Sequence, residues 1–246
     1  MTRGSGHLIV GGSARAGHDW LDPDVVAWSA PEGERDGRPL LIQMHGWSYD
    51  EQHLFQFRDD LSAELVIASL RAPHAEAGGY AWFPSRGNPI GDPQPQVAAR
   101  AVSAVLDWLD ALTFKPSSIG LLGFSQGGAM VLQLMRTRPE SFDYGVNLAG
   151  FVVNDVQSGD STLARLQLPI FWGRGQQDFV IPQRAIERTQ AWMTKHSHAT
   201  TRVYEQLGHD VAGKEVTDFA AFVARHLTAG ERKRDQQQGR RSEADV

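Results

Sequence analysis

The sequence predicts an α/β fold in which helices cover both faces of a mostly parallel central sheet. Two observations predict it. Short aliphatic runs alternate with longer amphipathic stretches, which is the pattern of βα units. The chain has 246 residues, 41% of them apolar and 22% charged, which fits a globular protein with a sizeable core. Single α/β domains often reach this length, so we expect one domain over residues 1–228.

The expected strands are short runs rich in aliphatic and β-branched residues. They lie at 25–29, 40–44, 65–70, 119–122, 144–148, 170–172 and 201–204. The expected helices lie at 97–112, 126–137, 183–196 and 211–227. In the first and last of these helices apolar residues recur at helical spacing, which predicts a face that packs on the sheet. The segment 87–95 contains three prolines and is predicted to be a surface loop.

The segment 118–130 carries the most informative motif. An apolar strand runs into Gly123-Phe124-Ser125-Gln126-Gly127 and then into an apolar helix, which is the context of a Gly-x-Ser-x-Gly nucleophile elbow. Such a sharp turn lifts the Ser125 hydroxyl above the sheet, and the glycines leave room for the neighbouring backbone. The N–H of Gln126, at the start of the helix, can face an oxyanion. The alternative is a glycine-rich helix entry with Ser125 as its N-cap.

A serine nucleophile needs a base, and the base needs an orienting carboxylate. In the α/β-hydrolase arrangement they follow in the order Ser, Asp, His. Asp178 lies in the loop after the strand 170–172, and His209 lies in the loop after the strand 201–204. We therefore predict that His209 is the base and that Asp178 orients it. Asp178 could instead cap the helix that follows it.

A second oxyanion donor is expected after the strand 40–44, where the chain continues as His45-Gly46-Trp47. Gly46 lets the backbone turn, and the N–H of Trp47 is the candidate donor. His45 is interpreted as holding this loop by hydrogen bonds, the alternative being a direct catalytic role.

No metal or other cofactor is expected. The chain has no Cys, which excludes disulfides, thiolate ligands and a cysteine nucleophile. The pair His196 and His198 could suggest a metal, but no third ligand is in view, so a solvated surface at the end of the 183–196 helix is the favoured interpretation.

With these motifs the chain resembles the phospholipase/carboxylesterase family of α/β-hydrolases over roughly residues 38–227. The matching stretches are MHG at 44–46, RAP at 71–73, AWF at 81–83, GFSQGG at 123–128, DxVxP at 178–182 and GH at 208–209. The resemblance implies an α/β-hydrolase fold. It also implies that Ser125, Asp178 and His209 form a catalytic triad and that the N–H groups of Trp47 and Gln126 form the oxyanion hole.

The chain departs from the family at one place in the oxyanion loop. The family commonly has a glycine two positions after His-Gly, and this chain has Ser48 there. The bulky Trp47 would face Trp82 and Phe83 and narrow the space for an acyl chain, so all three are candidate substrate contacts. Each of these aromatic residues could instead belong to the core.

We therefore expect a serine carboxylesterase that acts on short-chain esters through an acyl-enzyme. Two alternatives stay open: a long-chain acyl thioesterase or lysophospholipase, and a non-catalytic binding protein on a hydrolase scaffold. The stretch 148–169 is the only place for an inserted cap, and it is polar over 154–161, so we expect no large cap and an open site.

Charge and terminal segments complete the prediction. A formal net charge of −5 offers no field for nucleic acid or an anionic membrane, so the expected partner is a small-molecule ester. The apolar run at 8–10 is too short for a signal peptide or a membrane span, which favours a cytoplasmic protein. Residues 229–246 mix basic and acidic side chains without apolar periodicity, which predicts a disordered tail, or alternatively a basic binding tail.

Overall fold

The structure is a computed structural model that describes residues 20–227. Nine strands lie within these residues. They are β1 (Ala27–Trp28), β2 (Leu40–Met44), β3 (Val66–Leu70), β4 (His74–Glu76), β5 (Gly79–Ala81), β6 (Ile119–Phe124), β7 (Tyr144–Leu148), β8 (Pro169–Gly175) and β9 (His198–Tyr204). Six α-helices accompany them in the same part of the chain. They are α1 (Gln52–Phe55), α2 (Pro95–Asp110), α3 (Gln126–Thr137), α4 (Asp160–Leu166), α5 (Gln183–His196) and α6 over residues 214–227.

Seven strands form one sheet in the order β1-β3-β2-β6-β7-β8-β9, and β4 and β5 form a separate hairpin. Neighbours in the large sheet are parallel except the short β1, which runs antiparallel to β3. From β2 the chain continues to β3 on one side and later returns as β6 on the other side. Ligands of open α/β sheets bind beyond the carboxyl ends of the strands at such a change of direction.

Apolar side chains pack on both faces of the sheet. One core contains residues of α2, α3, α4 and α5, and the other contains residues of α1 and α6. Strand β8 contributes to both: Ile170 and Trp172 belong to the first core and Phe171 to the second. Successive side chains of a strand point to opposite faces, so a strand covered on both sides is apolar throughout. The predicted α/β fold with helices on both faces of a mostly parallel sheet is confirmed.

The boundaries of several elements differ from the predicted ones. The helix predicted at 97–112 begins at Pro95, because proline is well tolerated in the first turn of a helix. The strand predicted at 25–29 is reduced to β1, since residues 23–25 form a 3₁₀ turn. The helix predicted at 211–227 begins at residue 214. The sequence patterns do not predict the β4–β5 hairpin or the short helices α1 and α4.

The expectation of a solvated surface at His196 is wrong. Its side chain is buried and stacks on the ring of Trp192 with 5.0 Å between ring centroids, and Nδ1 lies 2.8 Å from the carbonyl oxygen of Trp192. The predicted tail at 229–246 lies outside the described residues. Between residues 20 and 227, no helix has both the length and the apolar character needed to cross a bilayer.

Candidate active site

Ser125 occupies a strained turn between β6 and α3. Its φ of 53° lies in the left-handed region, which residues other than glycine seldom adopt, and its ψ is −113°. Its N–H donates to the carbonyl oxygen of Leu148 at 2.8 Å, so the end of β7 anchors the turn. The Ser125 side chain makes no capping hydrogen bond to α3, which excludes the N-cap alternative.

The two glycines of the elbow permit a close approach of backbone segments. A Cβ on Gly127 would collide with the carbonyl oxygens of Met44 and His45, and a Cβ on Gly123 would collide with the carbonyl of Gly127. Helix α3 therefore starts directly against the end of β2. This contact brings the turn at Ser125 beside the loop that follows β2.

Ser125, His209 and Asp178 form a hydrogen-bonded series at the carboxyl edge of the sheet. Ser125 Oγ lies 2.8 Å from His209 Nε2, and His209 Nδ1 lies 2.8 Å from Asp178 Oδ2. A carboxylate can only accept, so Nδ1 carries the hydrogen and Nε2 accepts from the Ser125 hydroxyl. The structure thus brings together the three side chains selected from the sequence, in a geometry that lets the imidazole take a proton from the hydroxyl.

Asp178 is held as a carboxylate. Burial by itself raises the pKa of this carboxyl, but the His209 hydrogen bond and charge, together with two backbone N–H groups, outweigh burial and hold the pKa below its usual range. Oδ1 accepts those N–H groups from Val180 at 2.9 Å and Ile181 at 3.1 Å. The N-cap residue of α5 is Pro182, so Asp178 stabilises a turn before this helix and does not cap it.

Two backbone N–H groups in this region, one of them on the residue after Ser125, make no hydrogen bond within the described chain. The N–H groups of Trp47 and Gln126 have no hydrogen-bond acceptor within residues 20–227. Gln126 is the first residue of α3, where an N–H has no partner inside the helix. Trp47 follows β2, whose last residue Met44 pairs with Gly123 in the strand that leads to Ser125.

His45 supports the loop that carries Trp47. Its side chain is fully buried, and Nε2 accepts the N–H of Ala72 at 3.0 Å. Since an N–H can only donate, Nδ1 carries the ring hydrogen and donates it to the carbonyl of Gly46 at 2.7 Å. Burial lowers the pKa of His45 to about 4, so the ring is neutral at physiological pH. Both ring nitrogens are bound to backbone, and neither is available to a substrate.

The β4–β5 hairpin, which sequence reasoning missed, binds the same loop from its other side. The N–H of Ser48 donates to the carbonyl of Tyr80 at 2.9 Å, and the N–H of Tyr80 donates to the carbonyl of Tyr49 at 2.8 Å. Ser48 has a φ of 66°, in the left-handed region that favours glycine. The hairpin therefore secures a loop whose backbone conformation is unfavourable for its residue.

Two carboxylates also act on this loop. Glu51 forms a forked pair with Arg71, with both N–O distances 2.6 Å, and so ties the loop to the end of β3. Glu76, the last residue of β4, accepts a hydrogen bond from the N–H of Ser85 at 3.1 Å. The hydrogen bonds from Ser85 outweigh partial burial and hold the pKa of Glu76 below its usual range, and the side chain of Trp47 adds to this lowering. Arg71 lies in the RAP stretch, which is the signal in the sequence that could have drawn attention to this pair.

The three aromatic candidates for substrate contact differ in exposure. Trp47 is 42% exposed beside the free N–H groups, whereas Trp82 is 0% exposed and Phe83 is 4% exposed. Trp82 and Phe83 therefore lie beneath the surface, and Trp47 is the member of the three that can touch a substrate directly.

Within the described residues, no three His, Asp or Glu side chains are grouped so that they could hold a metal ion. A site free of metal and other cofactors stays a prediction.

Comparison with known proteins identifies the family to which the chain belongs. A family model described as Phospholipase/Carboxylesterase matches residues 31–227, a range that contains all the site residues described above. The chain is 28% identical over 152 residues to a probable carboxylesterase of Oryza sativa subsp. japonica, and the alignment covers 61% of this chain and 57% of that protein. The chain thus spans little more than half the length of the rice relative.

In two further comparisons the match covers a larger share of the other protein. The chain is 29% identical over 216 residues to acyl-protein thioesterase 1 of Saccharomyces cerevisiae, covering 78% of this chain and 94% of that protein. The crystal structure of the Bacillus cereus carboxylesterase superposes with a TM-score of 0.69 over 82% of this chain and 93% of that chain, at 16% identity. At this level of identity the structural likeness shows a shared fold.

Proposed function

Because the chain belongs to the phospholipase/carboxylesterase family of α/β-hydrolases, we propose that it is a serine hydrolase that cleaves carboxylic esters through an acyl-enzyme. The observation that carries this proposal is the series of hydrogen bonds from Ser125 through His209 to Asp178, next to two N–H groups without acceptors in the described chain. A nucleophile, a base, an orienting carboxylate and oxyanion donors are the parts that acyl transfer requires.

In the first half of the reaction, Ser125 Oγ attacks the ester carbonyl carbon while His209 Nε2 takes the hydroxyl proton. The carbonyl oxygen becomes an oxyanion, which the N–H groups of Trp47 and Gln126 stabilise. Asp178 keeps the hydrogen on Nδ1 and stabilises the imidazolium. The carbon–oxygen bond to the alcohol then breaks, and the alcohol leaves with the proton from Nε2.

In the second half, water takes the place of the hydroxyl. His209 Nε2 accepts a proton from the water as its oxygen attacks the acyl carbon, and the same two N–H groups bind the second oxyanion. The bond to Ser125 Oγ breaks, and Oγ regains its proton from Nε2. The carboxylic acid is released and the enzyme is restored.

Ser125→Ala tests this proposal. We expect it to lower kcat for an aryl ester on the order of 10⁴- to 10⁶-fold, because it removes the nucleophile. A fluorophosphonate should label the wild type at one site and leave the variant unlabelled. Ser69→Ala is the matched control, since Ser69 is fully buried and its hydroxyl has no hydrogen-bond partner among the described residues. A Ser125→Ala protein that keeps a tenth of the wild-type rate would exclude the mechanism.

A thioester substrate is the second candidate, and the similarity to a thioesterase over 94% of the yeast protein's length favours it. The same acyl-enzyme serves both substrates, because the leaving group differs and the acyl transfer does not. Comparing kcat/KM for an oxyester and a thioester of the same acyl chain separates the two candidates.

The proposed acyl preference is for short chains, with Trp47 as the residue that limits length. Its side chain, which is 42% exposed and adjoins the proposed oxyanion site, supports this proposal. Each methylene that finds an apolar contact gains up to about 0.8 kcal/mol. We expect Trp47→Ala to move the optimum of kcat/KM in an aryl ester series toward longer chains. A palmitoyl optimum in the wild type, or an unchanged optimum in the variant, would contradict it.

A further inference from the structure

Trp82 makes two hydrogen bonds that reach opposite sides of the candidate oxyanion hole. Its indole Nε1 donates to the carbonyl oxygen of His45 at 2.8 Å, and its backbone N–H donates to the side-chain Oε1 of Gln126 at 2.8 Å. The residue is fully buried, so solvent does not compete for either bond. The ring also packs beside the imidazole of His45, with 5.5 Å between the ring centroids.

The side chain of Gln126 completes the connection. Its Nε2 donates to the carbonyl of Phe83 at 2.7 Å, so the amide group binds the backbone of both 82 and 83. Gln126 is itself buried at the start of α3. Both polar atoms of its side chain are thus engaged with the segment after β5, and its backbone N–H remains free.

These bonds act on the two groups that stabilise the oxyanion. The carbonyl of His45 belongs to the loop that presents the N–H of Trp47, and the side chain of Gln126 belongs to the residue that presents the other N–H. Oxyanion donors are effective when they are held in place before the reaction begins. Trp82 therefore hydrogen-bonds both to the loop that contains the Trp47 N–H and to Gln126, which supplies the second N–H.

We propose that Trp82 is a positioning residue that sets the separation of the Trp47 and Gln126 N–H groups through its bonds to His45 and Gln126. The proposal rests on the function proposed above, since it concerns the oxyanion hole of that reaction. The indole N–H is the part of Trp82 that carries the contact with the loop, and the ring supplies core volume.

Trp82→Phe tests the indole bond, because it removes the N–H and keeps an aromatic ring. Trp172→Phe is the matched control: Trp172 is 1% exposed in the same core, and its Nε1 has no hydrogen-bond partner among the described residues. Both substitutions reduce core volume in a similar way. A purely structural role of Trp82 therefore predicts the same result for both variants.

We expect Trp82→Phe to lower kcat for an aryl ester about 10- to 100-fold with KM changed less than about threefold. Loss of an interaction made in the transition state lowers kcat and kcat/KM together, and deletion of a whole donor lowers kcat about 10²- to 10³-fold. Inhibition by a trifluoromethyl ketone, which forms a tetrahedral oxyanion on Ser125, should weaken by the same factor as kcat/KM. Trp172→Phe should change neither quantity more than about threefold.

Gln126→Met supplies a second test that leaves the indole and the Gln126 N–H in place. It should lower kcat in the same range, and the double variant should lose less than the product of the two single effects, because both act on one bonded unit. If Trp82→Phe does not fold, Gln126→Met with the ketone measurement decides the question.

The outcomes separate the two proposals. A wild type without ester turnover and without fluorophosphonate labelling would overturn the proposed function. An active wild type in which Trp82→Phe or Gln126→Met matches Trp172→Phe, or in which only KM rises, would overturn the positioning role and leave the hydrolase mechanism standing.

Discussion

Glu215 is a buried carboxyl group that the proposed mechanism does not use. It is 1% exposed near the start of α6, close to Gly173 on β8, and both of its oxygens lack a hydrogen-bond partner among the described residues. Burial first, and then repulsion by Asp210 and Asp218, raises the pKa of Glu215 to about 8. The folded protein therefore holds this proton across a range in which the unfolded chain has lost it.

This difference predicts a pH dependence of stability. The pKa of the group in the unfolded chain is near 4.5. Between pH 4.5 and 8 the folded state binds more protons than the unfolded state, so the free energy of unfolding falls as pH rises. The stabilisation that comes from proton binding by Glu215 is complete below pH 4.5 and is lost above pH 8. We expect Glu215→Gln to remove this decline and to stabilise the protein at pH 8 on the order of a few kcal/mol.

Urea unfolding of wild type and variant at pH 5, 6, 7 and 8 measures the effect. The exposed Glu205→Gln is the control and should retain the wild-type slope. Parallel pH profiles for wild type and Glu215→Gln would show that Glu215 does not carry the dependence.

At the scale of elements, Arg136 joins α3 to the segment before α4. It is 1% exposed, and its guanidinium binds Asp160 Oδ1 and Asp155 Oδ1, each at 2.8 Å, as well as the carbonyl oxygens of Val153 and Asp155. A buried cation is tolerated when all its hydrogens are bonded and its charge is balanced, which this network provides. The long connection between β7 and β8 is thereby attached to the main body of the fold.

Arg136→Met should lower the free energy of unfolding by about 3–5 kcal/mol, because two largely buried carboxylates lose their partner. Arg138→Met is the control two residues further along the chain: Arg138 pairs with Asp110 at the surface, and an exposed pair contributes about 0–1 kcal/mol. Chemical denaturation of both variants measures the difference. An equal decrease in the free energy of unfolding of both variants would show that the buried Arg136 network stabilises the fold no more than the exposed Arg138 pair does.

The elements that the sequence predicts well are those with local determinants. The turn at Ser125 can be predicted from the sequence because a strand, two glycines and an apolar helix all lie within residues 118–130. The β4–β5 hairpin cannot be predicted in the same way, because each of its strands is only three residues long. It is held in place by hydrogen bonds to residues 48 and 49, which lie far away in the sequence. The sequence predicts Trp82 beside the acyl chain, whereas the structure buries it. The partner of its indole is a backbone carbonyl 37 residues away, which no residue pattern reveals.

At the scale of the whole molecule, α6 closes the second core. Five of its residues are buried there, and the last three of them, Phe222, Val223 and Leu227, lie beyond residue 221. The sequence of residues 229–246 shows no apolar periodicity, which predicts that this segment does not pack on the domain. We expect a chain that ends at residue 228 to have a free energy of unfolding within about 1 kcal/mol of that of the full chain. It should also keep its esterase turnover.

A chain that ends at residue 221 is the control. It lacks those three buried side chains and should fail to fold, since each large core side chain contributes about 1.5–3 kcal/mol. A loss of stability already at residue 228 would show that the segment after it docks on the domain.

The hydrogen bond between Ser125 and His209 joins residues 84 positions apart, and the imidazole arrives on the loop between β9 and α6. During synthesis domains fold as units as the chain emerges. A nascent chain that has been made as far as β8 and its following turn contains the serine and the carboxylate but has no base. A nascent chain therefore cannot carry out the proposed hydrolysis until β9, the loop with His209 and α6 have been synthesised and have docked on the sheet.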